Sequence, residues 1–233
     1  MKKFKKKILA IIPARSGSKG IKNKNIIKIN GKPLVFYTIK NAKNSKMISD
    51  LIGSTDSRKI KKIFEKYKVE IPFLRPKKLS TDKSLIIETL IFCLKKMEKI
   101  KQKKYDYIVL LQPTAPNRTK NEIDNCINKI IRTKADSLIS LSPLDEPHPL
   151  KLKKISRGVV QNYQRDAKNN FPRQSLPKLY KPSGNIYIFR RKILLNRDLK
   201  GKKQISDVIN SKNHLNIDTK DDLILAKIKL SAN

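Results

Sequence analysis

Short apolar runs alternate with longer amphipathic stretches along most of this chain, the pattern of a layered α/β protein. Ile8 to Ile12 are five consecutive apolar residues and predict a buried strand. Pro33 opens a helix running to about Ala42, since proline suits a first helical turn. Asp50 to Thr55 predicts a second strand, and Ser57 to about Lys66 a short helix. Val69 to Leu74 predicts a third strand, at an edge because Pro72 cannot donate to a sheet interior. Ser80 or Thr81 is placed to cap a helix reaching about Lys101, with apolar residues at helical spacing. Tyr107 to Leu111 is the clearest buried strand. Thr119 and Glu122 form a capping box before Ile123, Ile127, Ile130 and Ile131, which share one helix face.

Ser137 to Leu141 predicts another strand, after which regularity fails from Ser142 to Pro182. That stretch holds six of the twelve prolines, and a long irregular insertion in a compact domain usually serves function or an interface. Strand character returns at Gly184 to Phe189 and again near Leu215 to Ile217, followed by a helix from Thr219 or Lys220 to about Leu230. No internal repeat is visible. The length of 233 residues suits one domain over 1–233, with 143–183 as an insertion within it.

Composition narrows the class. No apolar stretch reaches eighteen residues, so no membrane-spanning helix is expected. The basic start, Met1 to Lys7, resembles a signal n-region, but the apolar run behind it is too short for a secretory core. A cytoplasmic protein is expected. Cys93 and Cys126 read as buried thiols rather than as a disulfide or metal site. The net charge of +36 invites a polyanion reading. The lysines are nevertheless spread over the whole chain, Trp is absent, and no aromatic–basic interleaving suggests a stacking platform. Specific nucleic-acid recognition is not expected.

The candidate chemistry begins where the first strand ends. From Arg15 to Asn25 the loop offers two glycines, two serines, three lysines and an arginine. Backbone N–H groups and cations in such a loop can cradle phosphate, and ligands of open α/β sheets bind beyond the carboxyl ends of strands. Neither the Walker spacing nor G-x-G-x-x-G is present. Four further segments carry reactive residue types: Leu74-Arg75-Pro76 with Leu79 and Asp82; Leu110-Leu111-Gln112-Pro113-Thr114-Ala115-Pro116-Asn117-Arg118; His148-Pro149-Leu150-Lys151 with Arg173-Gln174 and Lys181-Pro182-Ser183-Gly184-Asn185-Ile186-Tyr187; and Leu215-Asn216-Ile217-Asp218-Thr219. Gln112 offers both a donor and an acceptor to a base edge. Asp82 fits either a helix cap or a site residue. His148 reads as a surface-loop residue. Residues 216 and 218 would point the same way along a strand, so both can face one hard cation.

Together these segments, from residue 8 to about 225, resemble the CMP-sialic acid synthetases, the cytidylyltransferases that activate nonulosonic acids. The resemblance implies a Rossmann-like nucleotide-diphosphosugar transferase fold, α/β, with a mostly parallel sheet, helices on both faces and a protruding dimerisation insertion. It implies that CTP and a sialic-acid-like sugar give the CMP-sugar and pyrophosphate, in a homodimer, with Mg²⁺. Arg15, Lys19 and Lys24 are the implied catalytic cations. Ala14, Arg15, Ser18, Lys19, Gly20, Lys24, Asn25, Arg75, Asp82 and Gln112 would bind nucleotide, with Gln112 and Asn25 reading cytidine and Arg75 either pairing with phosphate or bracing the pocket. Lys151, Arg173, Gln174 and Tyr187 would bind the sugar, with Arg173 or Lys151 taking its carboxylate. Asp218 and Asn216 would hold the metal. The family has an aspartate where this chain has Asn216, which supplies an oxygen without charge. The chain also has Ala115, Asn117, Ser183 and Asn185 at places where the family differs. Two other readings are a CMP-Kdo synthetase, whose loop Lys19-Gly20-Ile21 does not match, and a non-catalytic basic nucleotide- or RNA-binding protein on the same fold.

Overall fold

The computed structural model describes residues 6–17, 20–144, 148–164, 172–209 and 215–231. Its strands are β1 (Ile8–Pro13), β2 (Lys28–Ile29), β3 (Lys32–Pro33), β4 (Asp50–Ser54), β5 (Tyr107–Leu110), β6 (Ser137–Pro143), β7 (Lys153–Ser156), β8 (Val159–Asn162), β9 (Tyr180–Arg190) and β10 (Gln204–Val208). Its helices are α1 (Leu34–Lys43), α2 (Arg58–Lys66), α3 (Ile86–Ile100), α4 (Lys120–Thr133), α5 (Arg191–Leu195) and α6 (Lys220–Ser231). Six strands form one sheet in the order β10-β6-β9-β5-β1-β4. β9 pairs antiparallel with both β5 and β6, while the other pairings are parallel.

Alternation along β1 explains the layers. Ile8, Ala10 and Ile12 pack on one face with Val35 and Ile39 of α1, Phe64 of α2 and Ile123, Ile127 and Ile130 of α4. Leu9 and Ile11 pack on the other with Leu90, Cys93, Leu94 and Met97 of α3 and Ile193 and Leu194 of α5. The period of two in the strand meets the period of 3.6 in the helices, and both faces are covered. Both cysteines are buried free thiols. The capping box forms: Glu122 N–H donates to Thr119 Oγ1 at 3.2 Å, and Thr119 N–H to Glu122 Oε2 at 2.7 Å. Ser57 caps α2 through Ile60 N–H.

Several expected elements are corrected. Val69 to Leu74 is not a strand; it makes one bridge, Ile52 to Glu70, and then leaves the sheet at Pro72, which has no N–H to offer. α3 begins at Ile86, not at Ser80 or Thr81. Ser84 Oγ accepts from Thr81 N–H and donates to Lys78 C=O, so local side-chain bonds hold residues 77–85 out of the helix. Leu215 to Ile217 is not a strand, because β10 already occupies the place beside β6. The irregular stretch contains a hairpin, β7–β8, turning at Arg157 and Gly158, both at positive φ. β9 starts at Tyr180, four residues earlier than expected, and its register against β6 shifts between Ile139 and Leu141. That irregularity accommodates Pro182 and Gly184, the latter at φ +75°.

Candidate functional site

The carboxyl ends of β1, β4 and β5 lie side by side, because these strands pair in parallel. A cavity of about 410 Å³ opens there. Arg15, Gly17, Gly20, Lys24, Asn25, Arg75, Asp82, Gln112, Asn216 and Asp218 all line it. Four sequence segments far apart in the chain therefore meet in one place, as ligand sites of open α/β sheets do.

The loop after β1 is held by its own side chains. Asn25 Nδ2 donates to Arg15 C=O at 2.9 Å. Ser16 donates to Asp56 twice, from N–H at 2.9 Å and from Oγ at 2.7 Å. Burial alone would raise the Asp56 carboxyl, but these two bonds hold it below the ordinary carboxylate range. Arg15 itself reaches Asp82 Oδ1 at 2.5 Å. Asp82 thus stands in the site and not at a helix cap. Ala14 lies beneath the cavity, fully buried, with its N–H committed to Ser54 C=O at 2.8 Å. Ser18 and Lys19 lie outside the described residues.

A second cluster forms at the other side. Ile217 N–H donates to Thr114 C=O at 2.8 Å, which lays residues 215–218 against the turn after β5. Lys24 Nζ donates to Ile217 C=O and to Asp218 Oδ1, each at 2.8 Å. Asn216 Nδ2 donates to Asp218 Oδ2 at 2.5 Å, so residues 216 and 218 do share a side without a strand. A Cβ on Gly20 would stand 2.7 Å from Asp218 C=O, so only glycine lets the loop come this close. A Cβ on Gly184 would stand 3.3 Å from Gln112 Oε1 and 3.5 Å from Asn216 Oδ1, which puts those two amides side by side over β9. Among the described residues no group of three or more His, Cys, Asp or Glu side chains is set for a metal. Asp218 with the Asn216 amide oxygen still offers hard oxygen donors of the kind Mg²⁺ accepts alongside phosphates.

Two arginines divide the work of this pocket. Arg75 is 5% exposed and lines the cavity floor. Its N–H donates to Thr55 C=O at 2.7 Å and its NH1 reaches Thr89 Oγ1 at 3.5 Å. Its Nε and NH2 are buried with no partner among the described residues, and burial lowers its pKa. Buried donors without acceptors are costly, and a ligand can supply the acceptors. Arg118, at the end of the turn after β5, points inward. It is 1% exposed, donates from Nε to Asn185 C=O at 2.7 Å, from NH2 to Gln112 C=O at 2.8 Å and from NH1 to Thr38 Oγ1 at 3.3 Å. It bolts the end of β5 to β9.

Of the residues expected to bind sugar, Lys151, Gln174 and Tyr187 do not line this cavity. Lys151 lines a separate cavity of about 370 Å³ with His148, Leu176, Pro177 and Tyr180. His148 is buried rather than a surface-loop residue; its Nδ1 accepts from Leu150 N–H and its Nε2 faces Pro177 C=O at 3.3 Å. Arg173 and Gln174 sit in a short 3-10 turn, Gln174 exposed and the Arg173 side chain outside what the structure describes. Tyr187 is half-buried on β9, its hydroxyl pKa raised by burial and opposed by a backbone hydrogen bond from Gly184. Residues that the sequence did not single out for a site also join this cavity: Thr81, Ser84 and Thr89 line it, and Asp56 braces its loop. The run Ser54-Thr55-Asp56 at the end of a predicted strand was the available signal for Asp56.

A family model described as cytidylyltransferase matches residues 9–221. A pseudaminic acid cytidylyltransferase of Campylobacter jejuni subsp. jejuni (strain 81-176) is 34% identical, with 97% of each chain aligned. A CMP-N,N'-diacetyllegionaminic acid synthase of Campylobacter jejuni subsp. jejuni (strain NCTC 11168) is 31% identical, over 96% of this chain and 95% of that one. Among solved structures, a CMP:2-keto-3-deoxy-manno-octonic acid synthetase complexed with CTP superposes with a TM-score of 0.69 at 15% identity, over 97% of this chain and 99% of that one. At that identity the likeness is one of fold.

Proposed function

This chain belongs to the cytidylyltransferase family, and from that premise we propose that it transfers CMP from CTP to a nonulosonic acid, releasing pyrophosphate. The carrying observation is the convergence of Arg15, Gly20, Lys24, Gln112 and Asp218 on one cavity at the strand ends. Relatives of this chain named for pseudaminic and legionaminic acid support that acceptor class.

In this reading the anomeric hydroxyl oxygen of the acceptor bonds to the α-phosphorus of CTP. The bond from that phosphorus to the bridging oxygen breaks, pyrophosphate leaves in line, and the hydroxyl proton passes to solvent. Such a reaction is governed by positioning and charge neutralisation. Arg15, Gly17, Gly20 and Lys24 surround the phosphates, with Lys19 from the same loop. Arg75 has two unpartnered buried donors, which suit the O2 and N3 acceptors of cytosine. That assigns the base to the corner of Arg75, Thr81 and Ser84, and leaves Gln112 facing the reacting centre beside Asn216. Asp218, with the Asn216 amide turned to present its oxygen, would hold Mg²⁺, which when bound draws charge from phosphate oxygens. Lys151 and Arg173 remain the candidates for the acceptor carboxylate.

We also place the protein in the cytoplasm and as a homodimer through the β7–β8 hairpin. Ile155, Val159 and Val160 of that hairpin are 77%, 58% and 64% exposed, an apolar surface that a second copy would cover. Among the described residues no helix is long and apolar enough to cross a membrane.

The test is pyrophosphate release from CTP and Mg²⁺ against a panel of pseudaminic, legionaminic and N-acetylneuraminic acids and Kdo. CTP-dependent release with one nonulosonic acid is expected, and Arg15→Ala should lower kcat/KM by about a hundredfold or more. Release with Kdo alone, or no binding of CTP, overturns the proposal.

A further inference from the structure

The Asp218 carboxylate is already satisfied by its own chain. Oδ1 accepts from Lys24 Nζ at 2.8 Å, and Oδ2 accepts from Asn216 Nδ2 at 2.5 Å. The backbone around it is fixed as well, by Ile217 N–H to Thr114 C=O and Asp218 N–H to Asp222 Oδ2 at 2.9 Å. Arg15 is likewise held, by Asp82. The lining cations Arg15, Lys24 and Arg75 outnumber the lining carboxylates Asp82 and Asp218.

Asn216 decides that balance. Its amide supplies a donor to Asp218 at the place where a carboxylate would meet Asp218 Oδ2 as a like charge. Two carboxylates at that separation disfavour each other's ionised form, and they repel an incoming triphosphate. A divalent cation between them would cancel the repulsion. With an amide at 216 there is no such repulsion to cancel.

We propose that Asn216 relieves nucleotide binding of its dependence on a divalent cation: the pocket accepts CTP with cation absent, held by Arg15, Lys24 and Arg75. This rests on the reading that the cavity holds CTP. The cation then serves the transfer step more than the binding step. It follows that Asn216→Asp creates a cation-dependent pocket and Asn216→Ala does not, since alanine removes the donor without adding charge.

The experiment is calorimetric titration of the full chain with CTP, once in EDTA and once in excess Mg²⁺, for wild type, Asn216→Asp and Asn216→Ala. Melting curves of the three proteins without ligand confirm that each is folded. Wild type and Asn216→Ala should bind CTP in EDTA within about tenfold of their affinity in Mg²⁺, and Asn216→Asp should lose about a hundredfold or more on removing Mg²⁺. Wild type that binds only with Mg²⁺ overturns this inference and leaves the proposed function standing. An Asn216→Asp ratio equal to that of wild type also overturns it, as does Asn216→Ala behaving like Asn216→Asp. Wild type that binds CTP in neither condition overturns the proposed function itself.

Discussion

Gly184 offers a controlled test of the pocket, because the fold supplies its own reference. Gly184 and Gly31 both stand at positive φ, +75° and +77°. A Cβ added at Gly31 meets nothing within 4 Å, whereas at Gly184 it meets Gln112 Oε1 at 3.3 Å and Asn216 Oδ1 at 3.5 Å. An alanine in the left-handed region costs about 1–2 kcal/mol at either site. For a chain of this size that amounts to a fall in Tm of roughly 2–8 °C. Both variants should therefore lose similar stability by thermal melting. Only Gly184→Ala also pushes the Gln112 amide by a few tenths of an ångström, while its contact with Asn216 is an ordinary one. Displacement by a whole ångström can cost about a hundredfold, so this smaller shift should lower kcat/KM for CTP by about tenfold. Gly31→Ala should stay within about twofold of wild type once folded protein is counted. If Gly184→Ala melts like Gly31→Ala and turns over CTP like it too, Gln112 and Asn216 are not held in position by β9. A much larger stability loss at Gly184 alone would refute the equal backbone cost.

Arg118→Met should lower stability by about 3 kcal/mol, because it removes the guanidinium bonds to the Asn185 and Gln112 carbonyls and leaves Gln112 only the long bond from Ala115 N–H at 3.4 Å; urea unfolding with an unchanged m-value checks this. Burial tends to raise the Glu98 carboxyl, but Arg191 at 2.7 and 2.9 Å and the Tyr105 N–H at 3.1 Å bring it below its ordinary value. A carboxylate lowered in this way stabilises the fold above its unfolded pKa and loses that contribution as pH falls through its folded pKa. Melting temperatures should then fall below about pH 4, and Glu98→Gln should be less stable at pH 7 yet less sensitive to acid; parallel pH–Tm curves for the two proteins would contradict it. Val160→Asp should convert a homodimer to a monomer in sedimentation velocity, and a monomeric wild type would remove the dimer.

The strand–helix frame was legible because one-face periodicities are local. Ile8 to Ile12 and the Thr119–Glu122 box state their structure within a few residues. So were the four segments that line the cavity, whose small, basic and amide residues stand near strand ends. What escaped depended on distant partners. β10 forms because β6 leaves a place beside it, and for the same reason Leu215 to Ile217 is left outside the sheet. Asp56 became part of the site only through Ser16, forty residues earlier. Arg118 stands in a polar turn, but the acceptors that draw it inward lie on β9 and in the backbone of Gln112. Whether an arginine faces ligand or core is decided by carbonyls that no local pattern reveals.

The base of the irregular segment has one more consequence. Pro143 pairs with Tyr180 across β6 and β9, and Leu144 N–H donates to Leu179 C=O at 2.9 Å. The described residues between them, 148–164 and 172–178, form no ladder with the six-stranded sheet and so join it through this clasp. Closing a loop whose ends are already joined costs only about 0.6 kcal/mol more for each doubling of its length. The stretch 145–178 is in that sense a cassette. It can be shortened, extended or grafted from a relative without re-registering the strands at whose ends the cavity opens, which makes it a natural unit of exchange for chimeras.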